Sequence, residues 1–143
     1  MKKVLVIAIL LFGMVRLAWA DFVDYWHVYY NYSLIDHTNE FVIKVEDVKP
    51  KDKLRIHYYR DRLQLLDKYL KVVDNSGNLV LLTNFGKETL PFNGDWKTMY
   101  LPVKVLLDYR KKTSRSSFEV YYQLGEDASK PDVQTLVLKV KLE

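Results

Sequence analysis

Histidines and paired tyrosines are the residues of this chain best suited to chemistry. Eleven tyrosines occur, and six stand in the adjacent pairs Tyr29-Tyr30, Tyr58-Tyr59 and Tyr121-Tyr122. His27 precedes the first pair by two residues, and His57 adjoins the second. Glu119 stands two residues before the third pair. An imidazole with a carboxylate in hydrogen-bond reach can move protons, as a small hydrolase requires. The carboxylates available to His27 or His57 for that work are Asp24, Asp61 and Glu119. Tyrosine offers different chemistry: a broad apolar face with a polar tip, suited to a sugar ring or a protein partner.

Other motifs are read as scaffold. His37 lies with Asp36 in a polar segment that reads as a loop. Asp74-Asn75-Ser76-Gly77-Asn78 has oxygen ligands for calcium but lacks the acids of an EF-hand, and it reads as a hairpin turn. Glu126, Asp127 and Asp132 are a weaker acidic loop of the same kind, and no metal site is assigned. Asn31-Tyr32-Ser33 matches a glycosylation sequon but falls in an expected strand. The chain has no zinc-protease motif, phosphate-binding glycine loop or nucleophile elbow, and no cofactor is assigned. It also lacks cysteine, which removes disulfides and thiolate chemistry.

The elements that must position these residues are strands, because the apolar pattern has period two. Trp26, Val28, Tyr30, Tyr32 and Leu34 are read as one face of a first strand. Phe41, Ile43 and Val45 follow, then Leu54, Ile56 and Tyr58. Leu70–Val73 and Leu79–Thr83 flank the 74–78 turn. Phe118, Val120, Tyr122 and Leu124 form another inward face, as do Leu136, Leu138, Val140 and Leu142. Trp26, Ile43, Ile56, Val120 and Leu138 are expected in one buried cluster. Lys139 and Lys141 give the last strand an outer face that would protect a sheet edge. Leu63, Leu66, Tyr69 and Leu70 have helical spacing after Asp61, as do Val103, Leu106, Leu107 and Arg110 after Pro102.

Seven to nine short strands with one or two helical turns predict an all-β antiparallel sandwich, immunoglobulin-like or a related Greek-key arrangement. Successive strand side chains alternate in direction, so one tyrosine of each pair faces out. If their strands share a sheet, Tyr25, His27, Tyr29, Arg55, His57, Tyr59, Glu119 and Tyr121 form one ligand-binding face.

The N-terminus reads as a cleaved signal peptide. Lys2 and Lys3 precede the apolar run 4–15, and Ala18-Trp19-Ala20 supplies the small residues of a cleavage site. The rest, residues 21–143, is expected to be one domain with no membrane span. The leader holds three basic residues and no acid, so the net charge falls from +4 to 19 Lys+Arg against 18 Asp+Glu. That near-neutral balance argues against nucleic acid as a partner. A cysteine-free exported domain points to a bacterial periplasm or cell surface. The leading expectation is a non-catalytic module that binds a protein or glycan at the cell envelope. The alternatives are the small hydrolase above and a structural subunit of a surface assembly.

Overall fold

The computed structural model describes residues 25–59, 66–87 and 97–143. Residues 1–20, read as the leader, lie outside that set, as do Asp24, Asp61 and Leu63. The fold is an all-β sandwich. Nine strands run in chain order: β1 Tyr25–Tyr30, β2 Ser33–Ile35, β3 Glu40–Ile43, β4 Lys53–Tyr59, β5 Asp67–Asp74, β6 Leu79–Lys87, β7 Lys97–Pro102, β8 Ser117–Gly125 and β9 Val133–Leu142. A 3-10 turn, Val45–Asp47, follows β3, and the helix α1, Val103–Thr113, separates β7 from β8. One sheet has the order β2-β1-β4-β7 and the other β3-β9-β8-β5-β6. Every pairing is antiparallel except that of β3 with β9.

The alternation places the core as the residue types demand. Leu54, Ile56 and Tyr58 of β4 are fully buried, and Arg55, His57 and Tyr59 between them are not. On β8, Phe118, Val120, Tyr122 and Leu124 are buried in the same way. Ile43 and Leu138 join them, and Trp26 packs half-buried against the cluster. Its indole lies 4.8 Å from the Tyr122 ring and 5.5 Å from the Tyr58 ring, centroid to centroid. Those tyrosines are 5.2 Å apart and tie the two sheets together. They belong to two of the adjacent pairs and are the largest fully buried side chains of the described residues.

Four local expectations are corrected. The first strand ends at Tyr30, because Asn31 takes a left-handed φ of 55° and turns the chain back into β2. Asparagine tolerates that conformation better than other residues with a Cβ. Tyr32 and Leu34 are therefore exposed, not buried, and the sequon starts in a turn, with its Ser33 opening β2. Tyr69 and Leu70 belong to β5, not to a helix, since β-ladder pairing on both sides overrides their spacing. β9 is not an edge: it lies between β3 and β8. Finally, Leu136 is exposed because a bulge intervenes. Val120 pairs with Leu138 and Tyr121 with Leu136, so Val137 is the extra residue and the face inverts before it.

The helix after Pro102 forms as its spacing predicts, and it runs eleven residues. Proline just before the first helical residue leaves no donor to satisfy. Ser114 ends the helix with a φ of 62°, and its N–H bonds to the Arg110 carbonyl at 2.8 Å. Among the described residues no helix is long and apolar enough to cross a membrane.

Candidate ligand-binding face

The outer face of the four-stranded sheet gathers six of the eight residues expected to act together. Strand register sets them in rows: Tyr25 beside Tyr59, His27 beside His57 and Thr98, and Tyr29 beside Arg55 and Tyr100. Leu34 of β2 extends the last row beyond Tyr29. Neighbouring strands lie about 4.8 Å apart, so each row is a continuous strip of side chains.

Arg55 is the centre of this face. Its guanidinium carbon lies 5.5 Å from the centroid of the Tyr29 ring and 5.6 Å from that of Tyr32. Its Nη1 donates a long hydrogen bond, 3.4 Å, to the Asn31 carbonyl. Cations within about 6 Å of an aromatic centroid are attracted by the ring quadrupole. Lys53 repeats the motif over Tyr100 at 5.0 Å. Tyr32 is 85% exposed, Leu34 63% and Tyr100 46%, so this corner presents apolar surface to solvent.

The β1–β2 hairpin that aims these rings is fixed by Asp52. This carboxylate accepts hydrogen bonds from the Tyr30 hydroxyl at 2.7 Å, Asn31 Nδ2 at 3.0 Å and the Lys49 N–H at 2.9 Å. The Lys49 bond is the main reason its pKa lies below the ordinary carboxylate range. Burial and the same carboxylate drive the Tyr30 hydroxyl far above the usual tyrosine range. Asn31 in turn accepts from the Lys53 N–H at 3.1 Å, which joins the hairpin to β4.

The four strands contain no aspartate or glutamate, but they carry Lys53, Arg55 and Lys97 with His27 and His57. His57 Nδ1 lies 2.8 Å from Thr98 Oγ1, and its ring meets Tyr29 edge-on at 6.5 Å. Burial, then the charges of Arg55 and His27, lower its basicity. Of the basic residues, Lys53 and Arg55 lie on the outer face, while Lys97 pairs with the inward Tyr58.

Glu119 and Tyr121 do not belong here. They lie on β8, in the middle of the other sheet, and face out from the opposite side of the sandwich. Tyr121 donates to Glu119 Oε2 at 2.7 Å, and Lys139 Nζ is 3.8 Å from Oε1. That hydrogen bond is the main cause of the raised Tyr121 pKa. Alternation says which residues face out of a strand, not which sheet the strand joins, and that is how the expected face came to include them. Glu119 therefore cannot serve His27 or His57 as a catalytic carboxylate. Among the described residues no group of three or more His, Asp or Glu could hold a metal.

Tyr32, Leu34, Lys53, Thr98 and Tyr100 are members that the sequence reading missed. A signal existed for the last two: Thr98 and Tyr100 alternate with the buried Met99 and Leu101 before Pro102. For Tyr32 and Leu34 the signal was Asn31, a residue suited to a tight turn. No protein-family model matches the chain, and no curated protein is similar to it.

Proposed function

We propose that this protein is an exported, non-catalytic β-sandwich that binds a protein or glycan ligand at the bacterial cell envelope. The outer face of the β2-β1-β4-β7 sheet is its binding surface. The observation that carries this reading is Arg55, held between Tyr29 and Tyr32 on a sheet without acidic residues. No carboxylate pairs with it among the described residues. Its edge donors suit a carboxylate, sulfate or phosphate, which planar guanidinium binds in bidentate fashion, and the rings suit an apolar or sugar face.

Size narrows the ligand. Four strands and about six residues per strand give a face of roughly 14 by 20 Å. A stable protein–protein interface buries ~800 Å² on each partner, more than such a face offers. A short oligosaccharide or an extended peptide segment with an acidic group matches the area. Such a segment fits the rows of Tyr29, Arg55 and Tyr100.

The test is a binding screen of residues 21–143 against acidic and neutral glycans and envelope proteins. Tyr29→Ala, Tyr32→Ala and Arg55→Gln are run beside the parent. A saturable ligand that all three variants weaken supports the reading. Binding that none of them changes, or no saturable ligand in either panel, overturns it. Export is tested separately by N-terminal sequencing of the periplasmic product, which should begin at Asp21.

One observation favours the assembly alternative. Among the described residues β6 pairs only with β5, runs nine residues and exposes Leu79 and Leu82. An apolar edge of that length can accept another strand. Concentration-dependent association in sedimentation, abolished by Leu82→Lys, would support this second reading.

A further inference from the structure

α1 closes one end of the sandwich. It runs from the end of β7 in one sheet to the start of β8 in the other, and its Val103 and Leu106 are buried in the core. The segment 44–52 meets it there: the Val103 N–H bonds to the Asp52 carbonyl at 3.0 Å. Val45 and Leu107 border one shallow depression with Lys111, and Val48, Lys49 and Pro50 border a second with Lys104. The β5–β8 register fixes the two ends of the sandwich, since Asp74 pairs with Phe118 at the helix end and Asp67 with Gly125 at the other.

Charge divides between these ends. Segments 44–52 and 103–115 hold eight Lys+Arg against four Asp+Glu, and the rest of residues 21–143 holds eleven against fourteen. Lys44, Lys49, Lys51, Lys111, Lys112 and Arg115 are exposed. Of the four acids, Asp52 is buried in the hairpin network and Asp108 is paired with Lys104 at 2.6 Å. That leaves Glu46 and Asp47 as the exposed acids of these segments. Glu143 is paired with Lys141, also at 2.6 Å. The opposite end carries the loop between β8 and β9, with Glu126, Asp127 and Asp132 against Lys130. The molecule is therefore polarised along its strands, basic at α1 and acidic at the β8–β9 loop.

We propose that the α1 end docks on an anionic lipid bilayer. Lys104, Lys111 and Lys112 of the helix face the head groups, with Lys49 and Lys51 beside them. Clusters of about 4–8 basic side chains on such a helix attract anionic lipid, and each tightens binding roughly fivefold. The polarity of the molecule turns its acidic end away from the same surface. Half-buried Val45, Val48 and Leu107 and exposed Pro50 lie among these lysines. A bilayer holds acyl chains directly beneath its phosphates, so aliphatic and cationic side chains are satisfied together. Nucleic acid would meet the charges but not the aliphatic side chains, and a single strand also stacks its bases on aromatic rings. Segment 44–52 has no aromatic residue, and Tyr109, the one on α1, is tied to Asp74. The aromatic face outside β4 shares none of these residues, so the two proposals stand apart.

The probes are vesicles of phosphatidylglycerol and phosphatidylcholine in equal parts, with vesicles of phosphatidylcholine alone and a single-stranded oligonucleotide for comparison. Residues 21–143, which include every described residue, are used so that the apolar run 4–15 does not itself bind lipid. Co-sedimentation should show partitioning onto the anionic vesicles and none onto the neutral ones. Binding should be lost as salt rises from ~0.1 M to ~1 M, because the Debye length shrinks from about 10 Å to about 3 Å. Lys111→Gln combined with Lys112→Gln should weaken partitioning on the order of 25-fold, and so should Lys49→Gln combined with Lys51→Gln on the separate segment. Both double variants should melt as the parent does. Lys130→Gln at the acidic end and Arg55→Gln on the aromatic face should leave partitioning unchanged. No partitioning, equal partitioning onto neutral vesicles, or binding that survives high salt would overturn the proposal. So would a loss from Lys130→Gln or Arg55→Gln as large as that from the lysine pairs, or an oligonucleotide bound more tightly than the anionic vesicles.

Discussion

Tyr109 of α1 donates its hydroxyl hydrogen to Asp74 Oδ2, at the end of β5, across 2.8 Å. The same carboxylate accepts from the Ser76 N–H at 2.8 Å and the Asn78 N–H at 2.9 Å. Asn78 Nδ2 reaches it at 3.0 Å. Asp74 is 1% exposed. One side chain therefore closes the β5–β6 hairpin and fastens the helix to it, and Ser76, Gly77 and Asn78 of the 74–78 turn all bond to this residue.

The first prediction follows from that arrangement. Burial alone would raise the Asp74 pKa, but the bonds from Asn78, Tyr109 and Ser76 outweigh it and hold it well below the ordinary 3.8. A depressed carboxylate adds stability above its unfolded value and loses it as pH falls through the folded one. Melting temperature should thus begin to drop below about pH 4 and continue into stronger acid. Asp74→Asn should flatten that acid slope and lower the neutral-pH melting point. Asp108→Asn, which breaks an exposed i,i+4 pair, should change little. Equal effects of the two would remove Asp74 from the centre of this region.

A second prediction concerns the core. Ile56→Ala opens a cavity at a fully buried position and should cost about 2–5 kcal/mol by urea unfolding. Lys139→Ala loses only the 3.8 Å approach to Glu119, a surface pair worth about 0–1 kcal/mol.

Gln123 offers a third. It is fully buried in register between Tyr69 and Gln134. Its Nε2 donates to Gln134 Oε1 at 2.8 Å, and its own Oε1 has no partner. Gln134 is exposed, so water can replace the lost bond. Gln123→Met should therefore be neutral or stabilising, because an unpartnered buried carbonyl costs about 1–3 kcal/mol. A clear loss of stability would show that the single bond outweighs the orphan oxygen.

His57 gives the fourth. Burial, Arg55 and His27 depress its folded value below 6.5. The unfolded chain then binds the proton more readily, so stability is full above about pH 6.5 and declines as pH falls below it. Melting curves from pH 8 to 5 should show this decline, and His57→Gln should reduce it. His37→Gln, on a separate loop, should not.

Much of the fold was legible in the residues because alternation is local. Leu54-Ile56-Tyr58 and Phe118-Val120-Tyr122-Leu124 are each buried on the face that their own neighbours indicate. The turn after Asp74 and the helix after Pro102 are also local, set by backbone preference and capping. The aromatic face was less legible. Its centre, Arg55 with Tyr29, followed from alternation, but Tyr32 and Tyr100 entered only through the hairpin at Asn31 and the pairing of β4 with β7.

The sequence by itself thus determined which side of each strand is apolar, where the chain must turn, and that no cysteine chemistry operates. Only the tertiary structure decided which strands share a sheet. It put Tyr59 and Tyr121 on opposite outer faces, moved the lysine-bearing last strand from the edge to the interior of its sheet, and inverted Leu136 at a bulge. The reason is physical: side-chain direction has a period of two residues and is fixed by the backbone beside it. Strand pairing joins segments far apart in the chain, and it is selected by how all the apolar faces can be buried at once.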